Sequence, residues 1–369
     1  MTRDRKHRDS GNANRQKATL RSVAQMAGVS VATVSRVMTG RARVSEETAS
    51  RVLESASEAG VDPNRWNKSR LVAFLLCNRA VMHPFHSHIL LGAEATVAEQ
   101  GWNMLFITLR YSASQHWRDI HIPHILERRD LASGFIIAGT SSQNLLDYLR
   151  HERLPFAVLG NNVLGEWHPE EQDVVWFDDI QGAAEVTRHL LSLGHRKIWY
   201  VGNTKLPWYR RRFEGYSQAM RAHGLRPLLS EIDSEKDEET GFLATKSVIS
   251  GEKSVTAIFA GGDPAVQGVY KALRDCGLRV PEDISVAGFN DVEAPSLQPA
   301  LTSVRVFTEQ IGRQLSRMLL NRIEKPNLPK QTVTIPTQLI KRESCRQRSP
   351  EAEIIAGEEV LRTGSTGRA

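Results

Sequence analysis

From residue 71 onward, short apolar runs alternate with amphipathic stretches, and this alternation limits the fold more than any other feature of the sequence. The first run, Leu71 to Cys77, is continuously apolar. Such a run is typical of a strand buried on both faces of a sheet. Strands that alternate with helices predict parallel sheets with helices on both faces. Because about 270 residues of this pattern exceed one compact sheet, we expect two doubly wound α/β subdomains.

The individual elements follow from the same pattern. Further strands are predicted at 103–108, 134–138, 156–160, 173–177, 197–201, 257–260 and 285–289. Helices are predicted at 89–100, 143–151, 180–193, 211–223, 239–250 and 264–276. Several of these helices end at a glycine, as helices often do: Gly101, Gly194, Gly224 and Gly277. Since no run of about 18 apolar residues is present, we expect no contact with a membrane.

The charge of the chain is concentrated at one end. The net charge is +6, but residues 1–70 hold 14 Lys and Arg against 7 Asp and Glu, while the remainder holds 34 against 35. A basic module on a neutral body predicts a polyanionic partner for that module. A solvated basic tail is the alternative, which charge alone does not exclude. Residues 1–17 and 346–369 have no core pattern, so we predict a disordered basic arm and a disordered tail.

The cysteines and the N-terminus indicate a cellular setting. Cys77, Cys276 and Cys345 are too far apart for a CxxC zinc site or a disulfide framework. A reducing, cytoplasmic location is the natural expectation. The N-terminus is basic and polar with no apolar stretch behind it, so we predict no secretory signal.

Residues 18–63 have the pattern of a helix-turn-helix domain. Leu20, Val23 and Ala24 share one face at helical spacing, and the small Ala24 lets a second helix cross close by. Gly28 lies where a turn needs positive φ. Ser30 is a good N-cap for a second helix.

Two further helical faces complete this domain. The second helix would bury Val34 and Val37 and expose small side chains with one arginine, a face that fits the major groove. A third helix is predicted from Ser45 to Ala59, with Val52, Leu53 and Ala56 facing inward. An ordinary three-helix bundle without a ligand is the alternative. The turn, the small alanine and the basic surplus occur together, and this combination favours DNA binding.

This region resembles the DNA-binding headpiece of the LacI/GalR family of transcription regulators. The matching stretches are Val23–Val37, Arg43–Thr48 and Asp62–Arg65. The resemblance implies base readout by Val31, Ala32 and Arg36. It implies phosphate or flanking contacts by Arg21, Ser30, Thr33, Ser35, Thr39 and Arg43. The implied partner is a near-palindromic double-stranded operator, one half-site for each headpiece of a homodimer.

The resemblance continues over residues 71–345. Its landmarks are Pro84–Gly92, His189–Ile198, Arg212–Tyr216, Val280–Phe289 and Leu301–Val304. It implies a core like a periplasmic sugar-binding protein, with two subdomains that close on a small-molecule effector, a sugar or sugar acid. The implied function is ligand-controlled transcription regulation, most simply repression. Whether the effector releases or promotes DNA binding stays open.

The resemblance also assigns effector contacts. They fall on Phe85, His86, Asn161, Arg212, Asp263 and Asn290. Structural roles are the alternatives: Arg212 can pair with Glu214, Asp263 can cap a helix, and Asn290 can be a turn residue. Where the family commonly has aspartate, this chain has Asn290, which removes a hydroxyl acceptor and a negative charge. We take this departure as a hypothesis for a less cationic or more acidic effector.

The linker at 64–70 departs further from the family. The family's apolar hinge residues, one of which wedges into the minor groove, are replaced by Asn67 and Arg70, and the first strand begins at once. We predict that Arg65, Lys68 and Arg70 bind phosphates without a hinge helix and without strong central bending of the DNA. Operator affinity should then be unusually sensitive to salt.

Other chemistry has little support in the sequence. His83, His86 and His88 form a local cluster, but their spacing fits no metal motif, so loop histidines near a pocket are the simpler interpretation. No GxGxxG, Walker or GxSxG motif is present, so we predict no cofactor, no metal and no enzymatic activity. A DNA-binding domain fused to a sugar-processing domain lacks a catalytic signature. A transport protein is disfavoured by the headpiece.

Overall fold

The computed structural model describes residues 19–39, 44–59, 70–79, 83–123, 131–230, 232, 234, 236–252 and 254–348, with the side chain of Thr39 excepted. The chain divides into two compact units. The first contains the three N-terminal helices, and the second contains both large sheets. The predicted basic arm, linker residues 64–69 and tail residues 349–369 lie outside the described residues.

The three N-terminal helices lie close to their predicted positions. They are α1 (Leu20–Ala27), α2 (Val31–Thr39) and α3 (Glu46–Glu58). The second unit contributes α4 (Pro84–Glu99), α5 (Gln143–His151), α6 (Asp179–Ser192), α7 (Pro207–Ala222), α8 (Asp237–Gly251), α9 (Asp263–Asp275) and α10 (Thr308–Glu324). Proline at the first turn starts α4, α7 and α9 where its missing N–H costs nothing.

The strands of the second unit are short, as expected for a doubly wound fold. They are β1 (Leu71–Cys77), β2 (Asn103–Leu109), β3 (Phe135–Gly139), β4 (Ser141–Ser142), β5 (Phe156–Leu159), β6 (Val163–Leu164), β7 (Asp173–Phe177), β8 (Ile198–Val201), β9 (Leu228–Ser230), β10 (Ala257–Ala260), β11 (Ser285–Asn290), β12 (Thr302–Arg305), β13 (Thr332–Ile335) and β14 (Gln338–Ile340). Short 3-10 turns lie at Trp117–Asp119, Gly160–Asn162, Pro169–Glu171 and Ala294–Ser296.

Two six-stranded sheets confirm the predicted pair of α/β subdomains. The first sheet has the order β13-β7-β5-β3-β1-β2, and the second has the order β14-β12-β11-β10-β8-β9. The pairs β1–β3, β3–β5, β5–β7 and β7–β13 are parallel in the first sheet. In the second sheet, β12 and β14 are antiparallel. Because β13 belongs to the first sheet and β14 to the second, the chain crosses between the sheets more than once.

Sequence reasoning missed the elements after residue 290. The predicted strands stopped at Phe289 and the predicted helices at Cys276, yet β12, α10, β13 and β14 follow. The edge strands β13 and β14 are only 4 and 3 residues long, and most of their residues are not buried, so no continuous apolar run marks them. Helix α10 packs against α4, with Gly312 in close contact with the backbone of Ile89.

Two local predictions of chain conformation are tested at the helix ends and the C-terminus. All four predicted C-terminal glycines have positive φ, between 69° and 88°. The predicted tail begins too early, because the backbone amides of Arg346 and Arg348 donate to Ser285 and Leu193. The chain therefore stays attached to the core through residue 348. Within the described residues, no helix is both long and apolar enough to cross a membrane.

Candidate nucleic-acid surface and ligand cleft

Local hydrogen bonds set the helix-turn-helix geometry. Thr19 and Ser22 form a reciprocal capping box at the start of α1. Gly28 ends α1 with φ of 65°, as the turn requires. Ser30 then accepts from the amide of Thr33 at 3.0 Å, which confirms it as the cap of α2. These bonds connect residues three positions apart, so the sequence alone specifies them.

A small apolar core holds the three helices together. Val23, Val34, Val52 and Ala56 are fully buried, and Leu20 and Val37 pack against them. The inward position predicted for Leu53 is wrong, because this side chain is 42% exposed. Ser55 is buried on α3 instead. The core therefore matches the predicted faces at every position named here except Leu53.

The outer face of α2 stays open to solvent. Val31 is 41% exposed, and Ala32 and Arg36 are also exposed. Thr33 and Ser35 are half-buried on the same helix, and Arg21 is exposed on α1. The described residues include no carboxylate within ion-pair distance of Arg36. The predicted roles of Arg43 and Arg65 lie outside the described residues, as does the side chain of Thr39.

The second unit contains an open cleft whose empty space, including the solvent at its mouth, is about 410 Å³. It is lined by Arg79, His83, Phe85, His86, Asn162, Trp208, Tyr209, Arg212, Asp237, Gly262, Pro264 and Asn290. Four of the six predicted effector contacts belong to this lining: Phe85, His86, Arg212 and Asn290. The lining combines aromatic surface with a few charged and amide groups, as is typical of small-molecule sites.

Helix α4 and the end of β1 provide one wall. Phe85 packs edge-on against His86, with ring centroids 5.2 Å apart, and against Phe177 at 5.9 Å. His86 is only 4% exposed, and burial lowers its pKa well below the ordinary histidine value, with further contributions from His83 and Arg79. His86 is therefore neutral at pH 7.

Arg212 on α7 lies at the opposite wall. It is 2% exposed, and its Nε donates to Asp179 at 2.8 Å while a terminal nitrogen donates to the carbonyl of Gly261. Its guanidinium stacks over Phe289 at 4.0 Å. The alternative pairing with Glu214 is wrong, because Asp179 is the partner. Arg212 thus lines the cleft in an orientation set by residues behind it.

Asn290 ends β11 with an unusual backbone. Its φ is 107°, and its side-chain oxygen is buried without a hydrogen-bond partner. A Cβ built on Gly262 would lie 3.7 Å from both Arg212 Nη1 and Asn290 Nδ2. These polar groups therefore converge on one point of the cleft floor, where glycine leaves space.

Asn161 and Asp263 lie behind the cleft and are not among its lining residues in the described part of the chain. Asn161 exchanges hydrogen bonds with the backbone of Phe177, at 2.8 and 3.0 Å. Asp263 accepts from the amides of Val292 and Glu293, at 2.7 and 3.1 Å. Both side chains are satisfied within the scaffold, so their direct contact with an effector stays a prediction.

Burial affects the chemistry of Asp263. It raises the pKa of this carboxyl to about 6, although the two backbone amides favour the ionised form. Ser303 also approaches the carboxylate, at 3.4 Å. Asp263 therefore holds the segment after β11 against β12 and the start of α9. The helix-capping alternative is wrong in detail, because Gly262 is the N-cap of α9.

Several lining residues were not predicted. Arg79, Trp208, Tyr209 and Asp237 were not assigned any role from the sequence, and Asn162 lines the cleft where Asn161 was expected. Arg79 lies two residues after the end of the predicted first strand, a position where polar groups gather at the sheet edge. The sequence therefore contained a signal that Arg79 could line the cleft. Trp208 and Tyr209 lie in the first turn of α7, which the amphipathic pattern placed outside the helix.

The histidine cluster does not form a metal site in the structure. His83 and His86 have ring centroids 5.5 Å apart. No group of three or more His, Cys, Asp or Glu side chains in the part of the chain that the structure describes is arranged to hold a metal ion. His83 and His86 belong to the cleft lining instead.

Comparisons with known proteins match both units. The model of the bacterial regulatory proteins of the lacI family matches residues 19–64, and that of the periplasmic binding protein-like domain matches residues 187–345. The HTH-type transcriptional regulator CelR of Thermobifida fusca is 31% identical over 345 residues, which cover 89% of this chain and 99% of that protein. The ribose operon repressor of Escherichia coli K12 is 27% identical over 343 residues, with the same coverage of 89% and 99%.

A solved structure extends the comparison to three dimensions. The complex of the transcriptional regulator CelR with cellobiose has a TM-score of 0.66 and 28% identity, and the match covers 88% of this chain and 99% of that chain. The similarity therefore includes the headpiece and the core together.

Proposed function

This chain belongs to the LacI family of bacterial regulatory proteins, and from that membership we propose that it is a homodimeric repressor that responds to a small saccharide-like effector. Its α2 helix reads operator DNA, and its cleft binds the effector. One observation carries the proposal: the same chain has an exposed α2 face and a partly aromatic cleft with convergent polar groups. Two matched proteins are connected with sugars by their descriptions, cellobiose and the ribose operon.

The DNA-binding role divides among residues by exposure. Val31, Ala32 and Arg36 contact bases, because they project from the exposed face of α2. Flanking contacts come from Arg21, Ser30, Thr33, Ser35, Thr39, Arg43 and Arg65. Operator DNA lies in the cytoplasm of a bacterium, so we propose that the protein acts there. Its action on the effector is binding alone, without turnover.

The decisive experiment is a mobility shift on the DNA that flanks the protein's own gene, repeated with a panel of sugars and sugar acids. We expect a retarded band with one or two bound dimers and a change in its midpoint with one ligand class. Because effector and operator binding are thermodynamically linked, the operator must change effector affinity by the same factor. Absence of any specific complex with this DNA would contradict the proposal.

A cleft-filling variant tests whether the response comes through this cleft. Gly262 has extended backbone, a conformation that valine also adopts, and a Cβ there would lie 3.3 Å from Tyr209 Oη and 3.7 Å from Arg212 Nη1 and Asn290 Nδ2, so the side chain would occupy the cleft floor. We expect Gly262→Val to lose the ligand response while its DNA complex without ligand provides the internal reference. A full response in this variant would place the effector elsewhere.

A further inference from the structure

Arg79 is a cation in the cleft lining, and among the residues that the structure describes it has no ion-pair partner. Its Nε donates to Thr140 at 2.9 Å, and its guanidinium lies 4.6 Å from the ring centroid of Trp208. Within the described residues, no carboxylate lies in ion-pair range of Arg79, and its two terminal nitrogens have no acceptor. Arg212, the other arginine of the lining, already has Asp179 as its partner. The two terminal nitrogens of Arg79 are therefore available to donate hydrogen bonds to a ligand in the cleft.

Two neutral histidines lie beside Arg79. His83 Nδ1 and His86 Nδ1 are buried atoms without a hydrogen-bond partner. Burial and the nearby Arg79 charge lower the pKa of both histidines. Buried polar atoms normally have partners, and these atoms border a cleft, so they indicate a missing ligand group. Each imidazole can donate one hydrogen bond to that group, and each gains a proton more readily when the group is negative.

The cleft lining also offers acceptors. The buried Asn290 Oδ1 has no donor, and Asp237 brings a carboxylate to the lining, where it hydrogen-bonds with Tyr209. Acceptors of this kind are satisfied by ligand hydroxyl groups. The cleft thus presents the Arg79 guanidinium and the imidazoles of His83 and His86 as donors, and the Asn290 amide oxygen and the Asp237 carboxylate, which is close to His83, as acceptors. A ligand that matches both carries an anionic group and several hydroxyls.

We propose that the effector is a polyhydroxy carboxylate, whose carboxylate binds the terminal nitrogens of Arg79 beside His83 and His86 and whose hydroxyls donate to Asn290. This proposal rests on the proposed effector function of the cleft. A planar guanidinium binds a carboxylate through two parallel bonds, as it also can a phosphate ester, so the choice between them rests on charge. One unpaired guanidinium balances a single negative charge, whereas a phosphate monoester carries more than one at neutral pH.

The first test compares each acid with its neutral parent. Glucuronate and galacturonate are titrated calorimetrically into the full-length protein alongside glucose and galactose, and the open-chain gluconate and galactonate alongside glucitol and galactitol. Glucose 6-phosphate is titrated in the same way. We expect at least one acid to bind roughly tenfold more tightly than its neutral parent, as a charge-assisted hydrogen bond allows. Equal or tighter binding of the neutral sugar, or of the phosphate ester, overturns the inference.

The outcomes separate this inference from the proposed function. If a neutral sugar binds and shifts operator affinity, the effector role stands and the carboxylate proposal fails. If no compound of any class binds or alters operator affinity, both fail. An improvement in neutral-sugar binding by Asn290→Asp, with no acid bound, also overturns the carboxylate proposal.

A matched pair of variants tests Arg79 itself. Arg79→Gln should weaken acid binding roughly tenfold or more and leave any weak binding of the neutral parent unchanged. Arg188→Gln is the control, because Arg188 is an exposed residue of α6 whose Nε bonds within its own helix. Urea unfolding of both variants checks that they fold. Unchanged acid affinity in Arg79→Gln overturns the proposal.

The pH dependence gives a second readout. His83 faces Arg79 and Asp237, and His86 faces His83 and Arg79. A bound carboxylate stabilises the protonated form of either histidine, so binding takes up protons. Because the pKa values of both histidines are lowered in the free protein, proton uptake is expected toward acid pH, where affinity for the acid should rise relative to affinity for a neutral sugar. A ratio of acid affinity to neutral-sugar affinity that falls as the pH is lowered contradicts the carboxylate placement.

Discussion

Arg36 in the headpiece and Arg212 in the cleft have opposite surroundings. Arg36 is exposed on α2, whereas Arg212 is 2% exposed and is held by Asp179 and by the carbonyl of Gly261. In the headpiece, the residues expected to read bases, Val31, Ala32 and Arg36, lie outside the buried apolar core. In the cleft, Arg212 lines the cavity and is also held in the scaffold by Asp179. A change in the cleft should therefore alter stability and binding together, while a change on α2 should alter binding alone.

Removal of the Asp179 carboxylate should give the largest effect. Asp179 is 1% exposed at its side chain, and it accepts from Arg211 at 3.0 Å, from Arg212 at 2.8 Å and from Asn161 at 2.8 Å. Asp179→Ala leaves two arginines without their buried counter-charge, which costs about 3–5 kcal/mol of unfolding free energy. Urea unfolding of the full chain measures this loss, and calorimetry should show that effector binding is lost as well.

The exposed Arg188→Gln variant on α6 is the control, and it should stay within about 0.5 kcal/mol of wild type. If Asp179→Ala unfolded like wild type, the contrast between the two regions would not hold on the cleft side.

Asp263 should give a pH-dependent effect. Its pKa is raised to about 6 in the folded state, so the native protein binds more protons than the unfolded chain between about pH 4 and 6. The contribution of Asp263 to the free energy of unfolding therefore falls as pH rises through that window. Above the window this contribution is constant. Asp263→Asn keeps an oxygen for the amides of Val292 and Glu293 and removes the titration. The difference from wild type should change by up to about 3 kcal/mol across the window.

Urea unfolding at pH 4, 5, 6 and 7 measures this difference. The exposed Asp275→Asn variant at the end of α9 should show no such change in this window. Parallel curves for Asp263→Asn and wild type would mean that the buried carboxyl is not destabilised by its surroundings.

On the headpiece side, Arg36→Ala should reduce binding without reducing stability. Loss of an arginine that contacts a base edge costs about 1–3 kcal/mol and relaxes preference at that base pair. Fluorescence anisotropy with the operator and a single-base variant measures both. The free energy of unfolding should change by no more than about 0.5 kcal/mol, because Arg36 is exposed.

Arg51→Ala is the matched control, since Arg51 is exposed on α3 rather than α2. A substantial loss of stability in Arg36→Ala would remove the distinction between the headpiece and the cleft.

Ser30→Ala should give the smallest effect. Because Ser30 is both a helix cap and an expected DNA contact, this variant tests how far folding and binding residues are separate in the headpiece. Ser30 caps α2 by accepting from Thr33, so its loss costs about 1 kcal/mol of helix stability. Hydrogen exchange at the first turn of α2 measures this change. Ser57→Ala, at an exposed position of α3, provides the reference. Equal protection in the two variants would show that packing of Val34, rather than the cap, fixes the start of α2.

Sequence reasoning predicted the headpiece well because its determinants are local. The Gly28 turn, the Ser30 cap and the Val23 and Val34 contacts all follow from spacings of a few residues. The central apolar strands were equally legible, since both of their faces are buried, but β9 and the strands after residue 290 were not. Leu53 was misplaced because helical periodicity locates a face only to within a residue or so.

The sequence by itself determined the family, the two-part architecture and four of the residues that line the cleft. Only the tertiary structure decided which polar side chains already have hydrogen-bond or ion-pair partners within the protein. Asp179 and Arg212 are 33 residues apart, and Arg79 and Trp208 are further apart still, so no local spacing relates them. Burial and hydrogen bonding depend on which strand ends meet at the cleft. For this reason the sequence did not separate Asn161 and Asp263, which the fold satisfies internally, from His86 and Asn290, which line the cleft, and it did not indicate Arg79.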